Sequence, residues 1–313
     1  MRRFFALART AAVESLAEPL TAVLFLSGFG MVHLAPAFHY HQFGEAGRLA
    51  RECGFSALLV FGLVFATASA VRTVGRELES GTAAAALALA VPRSLFLAAK
   101  IAGVVATLTL FAGAVACATA LSRTSSVIAS LAQAEHGSSA QAWGPGLAAG
   151  VGLTLAAFAM AAAANRFARM RFCMTACISM AAAQPLALGV AALAGRGLQL
   201  NFGGFWSSLL GLLPAFAALA AGCTVFVAFA GALATRLKPT TVTALLAAAI
   251  VSSFVHPLRA ILPDINRFWL VDGLANGGAI GWCDVFSPLV AGALLTTLWL
   301  IVGAAIFNGR EIQ

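Results

Sequence analysis

The chain alternates long apolar runs with short polar joints from end to end. A bilayer core is crossed by roughly 20 consecutive, mostly apolar residues in a helix. Runs of that kind fall at about 20–35, 54–72, 95–121, 144–164, 172–194, 205–233, 242–261 and 288–307. They predict an all-α polytopic bundle of about eight spans, or six spans plus re-entrant segments, as one transmembrane domain over residues 1–313. The first run is short, and the sixth is long and starts with Gly203-Gly204. Ahead of the first run, Phe5, Ala8, Ala12 and Leu16 recur every three or four positions among Arg2, Arg3, Arg9, Glu14 and Glu18. That spacing predicts an amphipathic interfacial helix over 1–19, ended by Pro19. Ala35-Pro36-Ala37 faintly resembles a cleavage site, but further spans follow it and residues 20–35 read as a retained span.

Composition agrees. Hydrophobic residues are 61% of the chain and charged residues 10%, where a soluble domain carries about 25% charge. The formal charge is +8, and its position matters more than its size. With the N-terminus inside, the inner face holds Arg2, Arg3, Arg9, Arg72, Arg76, Arg93, Lys100, Arg166, Arg169, Arg171, Arg236, Lys238 and Arg310. The outer face holds Arg48, Arg51, Arg123, Arg196, Arg259 and Arg267. This asymmetry predicts cytoplasmic N- and C-termini. No basic run carries interleaved aromatics, so no nucleic-acid partner is expected.

The spans are poor in chemistry. No Asp or Glu lies in the middle of one, whereas ion-coupled carriers place titratable groups there. Lys100, near the inner end of its span, is expected to snorkel to the headgroups. Ser252, Ser253 and His256 lack a nucleophile elbow, and the serines are expected to bond their own helix. His33, His39 and His41, with Glu45 and Glu52 nearby, read as a wet loop rather than a metal site. Cys53, Cys117, Cys173, Cys177, Cys223 and Cys283 read as small packing residues. Gly146 and Gly150 form a small-xxx-small pair, and Gln184-Pro185 predicts a kink whose freed backbone the glutamine can serve. The two lysines follow Ala99 and Leu237, so there is no P-loop. No catalytic residue, metal or cofactor is expected in this chain, and ATP would have to be bound by a separate subunit.

One joint stands out. Residues 72–94 run Arg72-Thr-Val-Gly-Arg76-Glu77-Leu-Glu79-Ser-Gly81-Thr82, then an alanine-rich stretch to Val91, then Pro92-Arg93. Gly81 can end the extension of the second span, Thr82 can cap a short helix, and Pro92 can start the third span. The residues alone leave two readings equally open: a helix that docks a partner, or a charged turn.

The pattern is similar to the ABC-2-type permeases, the membrane subunits of one class of ABC exporters. The shared features are Glu77, Glu79, Gly81-Thr82, Pro92-Arg93 and the Lys100-x-x-Gly103 that follows. Leu262-Pro263-Asp264, Phe268, Asp272 and Gly273 resemble that family's outer loop before the last span, here 262–287. Phe307-x-x-Arg310-Glu311 resembles its inner terminus. The likeness covers most of the chain, but many family members have six spans, and the excess lies around 172–233.

The resemblance implies a permease that is not itself an enzyme, in a bacterial inner membrane, paired as a homo- or heterodimer. It implies an ABC ATPase subunit gripping residues 72–94 as a coupling helix, through Arg76, Glu77, Glu79, Gly81, Thr82, Pro92, Arg93 and Lys100. ATP-driven alternating access would then export a bulky or amphiphilic substrate, with membrane lipid around it. Two alternatives stay open. One is a membrane enzyme acting on lipid, with Asp264, Asp272 and Asp284 as candidate carboxylates; the other is a membrane scaffold.

Overall fold

The computed structural model describes residues 1–41, 47–79, 91–136, 144–194, 202–252, 264–270 and 280–309. Among these the secondary structure is all helical. The helices are α1 (Arg2–Ala17), α2 (Pro19–Leu34), α3 (Arg48–Glu79), α4 (Arg93–His136), α5 (Gly144–Ala168), α6 (Phe172–Ala194), α7 (Phe202–Ala234), α8 (Pro239–Ser252) and α9 (Trp282–Asn308). A 3-10 turn occupies Ile265–Phe268. Among the described residues, seven helices are long and apolar enough to cross a membrane: those from α2 to α7, and α9. The chain is a multi-pass helical membrane protein.

The spans outrun the apolar windows that predicted them, because polar residues continue the helix at either end. The helix α3 stays regular through Arg72, Arg76 and Glu79. The 44 residues of α4 are more than twice what a bilayer core requires. Hydroxyls inside the spans are mostly satisfied by their own helix. Thr119, Thr154 and Thr224, for example, each donate to the carbonyl four residues back. The expected kink residue Gln184 likewise donates to the Met180 carbonyl at 3.1 Å.

α3, α4 and α7 form the centre of the bundle, joined by a core that includes Phe65, Val104 and Phe226. α2, α5 and α6 pack on one side around Phe25, Phe29 and Phe111. α9 lies on the other side, against α7, and shows the membrane a stripe that includes Phe286, Val290, Leu294 and Leu298. α1 does not stand apart from the bundle. Its small face, Ala8, Ala11 and Ala12, sits directly on Gly103 of α4, so that a methyl group at Gly103 would collide with the Ala8 carbonyl and lie 2.9 Å from the Ala12 nitrogen. Small residues permit this close approach of two backbones. Phe5, placed on the apolar face by sequence, is exposed, and the buried side is Ala11, Ser15 and Leu16.

The ends of the bundle are fixed by contacts. The end of α9 meets the start of α4, where the Phe96 and Phe307 rings lie 6.1 Å apart. α1 is at this same end, through Gly103. The described N-terminal helix and the last helix therefore finish on one side, here termed the basic end. Gly303 against Ala232 and Gly292 against Ala221 make α7 and α9 parallel. The chain must cross between Ala234 and Trp282, where sequence predicted the eighth span at 242–261. α8 begins that crossing but has 14 residues, about 21 Å at 1.5 Å per residue. Residues 253–263 lie outside the described residues.

Within the outer loop that the resemblance implied over 262–287, Ile265 and Phe268 are buried. The Phe268 ring is wedged between α7 and α9, where a methyl at Gly222 would lie 2.9 Å from it and one at Gly292 3.3 Å. Gly292 is within about 5 Å, along the axis, of the middle of α9. Residues 264–270 therefore place a short 3-10 turn among the spans, against α7 and α9. Such backbone is tolerated there only inside protein or along a cavity. Asp264 satisfies the turn by accepting from the Asn266 backbone N–H at 3.0 Å and side-chain amide at 3.1 Å.

The Gly103 contact gives a paired prediction. Gly103→Val meets immovable backbone, whereas Gly113→Val, with nothing within 4 Å of an added methyl, meets open space. Overpacking of this kind costs roughly 1–3 kcal/mol. Gly103→Val should lower the melting temperature in detergent and make α1 sensitive to protease, while Gly113→Val should do neither.

Candidate functional site: an ionic junction at the basic end

The residues singled out in sequence fall into two groups. Gly81 and Thr82 lie outside the described residues. The others mark the two roots of the α3–α4 connection: Arg76, Glu77 and Glu79 end α3, and Pro92, Arg93 and Lys100 begin α4. Pro92 starts that helix, its carbonyl accepting the Phe96 N–H at 3.0 Å.

Lys100 is 1% exposed and does not snorkel. Lys100 and Gly103 are three residues apart, so they share a helix face, and that face is covered by α1. The ammonium donates to Glu77 Oε1 at 2.5 Å and to Glu14 Oε2 at 3.2 Å. It also lies 6.0 Å from the centre of the Phe96 ring. A buried ammonium has three donors and a large desolvation cost, so the two carboxylates are what makes this position tenable. One comes from α1 and one from α3, and the lysine belongs to α4, so a single side chain joins three helices.

A second contact lies beside it. Glu18, at the α1–α2 corner, accepts from Arg72 Nη1 at 2.5 Å and from Arg76 Nη1 at 3.3 Å. These arginines are half to three-quarters exposed, so this pair stabilises less than the Lys100 cluster. Glu79 is exposed.

The other root is held differently. Arg93 Nη1 donates to the Phe307 carbonyl at 2.9 Å and the Asn308 carbonyl at 3.0 Å. These belong to the last turn of α9, whose carbonyls have no partner within the helix and carry the negative end of its dipole. The guanidinium also lies 5.6 Å from the centre of the Phe307 ring. Arg93 thus fastens the start of α4 to the end of the last span.

Between α1, α3 and the turn before α6 is a cavity of about 500 Å³. Glu14, Glu18, Glu77, Arg72, Arg76 and Arg171 line it. It opens beside the Lys100 cluster.

Sequence reasoning named Lys100 and Arg76 but missed Glu14 as the partner of the one and Glu18 as the partner of the other. The signal available was their place in a helix next to an arginine-rich joint. It also misread His33. That residue was expected near a wet loop, but it is 3% exposed and its Nε2 is 2.8 Å from Gln184 Oε1. Gln184 Nε2 in turn donates to Thr154 Oγ1 at 3.0 Å. Gly150 packs on the His33 ring of α2. Among the described residues no group of His, Cys, Asp and Glu is arranged to hold a metal, and all six cysteines are free thiols. Ser252 bonds its own helix, as expected, while Ser253 and His256 lie outside the described residues. Of the candidate carboxylates for a lipid enzyme, Asp264 holds the 3-10 turn and Asp284 caps α9 by accepting from the Gly281 N–H at 2.8 Å. Asp272 lies outside the described residues.

Comparison with models of known protein families, with curated proteins and with solved structures returned no match.

The junction makes a stability prediction. Lys100→Ala leaves Glu77 and Glu14 facing each other across a buried gap. Breaking a buried ion pair costs roughly 3–5 kcal/mol, and the partial exposure of both glutamates places this change at the low end. Thermal unfolding followed by thiol labelling of buried Cys177 and Cys223 should shift to lower temperature. The triple variant Lys100→Met, Glu14→Gln, Glu77→Gln should recover part of the loss.

Proposed function

We propose that this chain is the transmembrane subunit of an ATP-driven exporter of the ABC-2 permease kind, seated in a bacterial inner membrane with its basic end in the cytoplasm. The observation that carries the reading is the anchoring of both roots of the α3–α4 connection. Glu77 is tied through Lys100 to α4 and α1, and Arg93 is tied to the end of α9. A connection that only needed to turn the chain would not require such fastening. One that receives force from a partner does.

On this reading residues 72–94 are the handle. An ATPase subunit grips the segment between the roots, and closing of two such subunits on ATP moves the α1–α3–α4 unit in each of two paired permease chains. The neutral middle of the bundle, with His33, Gln184 and Thr154 bonded to one another, suits a bulky or amphiphilic cargo better than a small ion. No step of ATP chemistry is assigned to this chain.

The test begins with purification of the tagged chain from its native membrane. An ATPase subunit bearing a P-loop should co-purify. Gly81→Val, or Glu77→Lys with Glu79→Lys, should leave membrane insertion intact while severing transport from ATP hydrolysis. If no such subunit accompanies the chain, or if these variants transport normally, the exporter reading fails.

A further inference from the structure

The cavity at the basic end has a charge layout that the exporter reading does not use. Its walls carry three carboxylates, Glu14, Glu18 and Glu77, and three guanidiniums, Arg72, Arg76 and Arg171. The Lys100 ammonium bonds two of the carboxylates from below. Glu18 is shared between Arg72 and Arg76. The local balance is therefore one positive charge in excess, carried on the arginine side. Its volume of about 500 Å³ falls within the roughly 300–1,000 Å³ range of small-ligand sites. Guanidiniums are planar forks that match phosphate oxygens.

The surroundings indicate where such a phosphate comes from. Arg171 closes the turn between α5 and α6, which also carries Arg169, and Arg166 lies in the last turn of α5. Beside them Phe167 is 86% exposed and Met170 is also exposed. Apolar side chains standing out among arginines at the end of a membrane helix belong in the headgroup layer. The cavity therefore opens next to lipid headgroups.

We propose that this cavity binds the headgroup of a membrane phospholipid that carries one net negative charge on a phosphodiester. The phosphate sits among Arg72, Arg76 and Arg171. The Glu14 and Glu77 side accepts hydrogen bonds from headgroup hydroxyls. The bound lipid ties α1 and α3, already joined through Glu18 and Lys100, to the α5–α6 turn. The site follows from charge and shape, and it stands whether or not the chain couples to an ATPase.

The full chain, purified in detergent, should be titrated with palmitoyl-oleoyl phosphatidylglycerol, with the phosphatidylcholine of the same chains, and with inorganic phosphate, binding being read by native mass spectrometry. Phosphatidylglycerol should bind most tightly. The double variant Arg76→Gln, Arg171→Gln should weaken it by about tenfold or more, and higher salt should act in the same direction. Arg169→Gln, in the same turn but not lining the cavity, should change nothing. Three results would each overturn the proposal: equal loss in Arg169→Gln, phosphatidylcholine binding as well as phosphatidylglycerol, or inorganic phosphate binding as tightly as the lipid. Melting temperature of the variants without lipid separates lost binding from lost folding.

Discussion

A buried ammonium governs the basic end of this protein. Lys100 lies about 10 Å along α4 from the start of that helix, under the cover of α1, where water does not reach it. Left alone there, it would favour any conformation that let it out. Glu14 and Glu77 remove that incentive, but only if α1 and α3 both stay in place. The position of α1 is thus set twice: by the steric fit of Ala8, Ala11 and Ala12 on Gly103, and by the electrostatic need of the lysine three residues earlier. Neither constraint resembles the interfacial floating that an amphipathic leader suggests.

The ends and the middle of the bundle obey different rules. At the basic end charge is plentiful and paired, since water and headgroups keep its cost low. In the middle, polar groups are neutral and must find partners within the protein. The threonines turn back to their own helices, Gln184 connects α6 to α2 and α5, and Ser122 donates to the Val32 carbonyl at 2.8 Å. The segment 264–270 follows the same rule. Its turn is closed by Asp264, and the backbone around it is shielded because Phe268 fills the space left by two glycines.

Crossing helices were legible in the sequence because the length of an apolar run is a local property. So was the extension of α3 beyond the bilayer, from the helix formers Arg76, Glu77, Leu78 and Glu79 that precede Gly81. Partnerships were not. Glu14 and Lys100 are 86 positions apart, and His33 and Gln184 are 151 apart; no local spacing announces either. Lys100 looked able to snorkel because the sequence does not reveal that α1 covers it. The eighth crossing was expected at 242–261 from a mostly apolar run, and the described part of it, 242–252, is helical. The Phe268 wedge was not legible, because it depends on Gly222 and Gly292 in two distant helices. The Lys100-x-x-Gly103 pair was noticed through a family likeness. Its local role here, receiving α1, needs only one charge and one missing side chain on the same face.

The fastening also limits how the basic end can move. Separating α3 from α4 at their roots would pull Glu77 from Lys100, and lifting α1 would pull away Glu14. Both would strand charge in a buried place. Tilting α3, α4 and α1 together breaks neither contact. The start of α4 would carry the end of α9 with it through Arg93, whose bonds to helix-end carbonyls tolerate rotation better than a packed core does. A push on the connection between the roots is therefore delivered as a rigid-body motion of three helices, with the last span following.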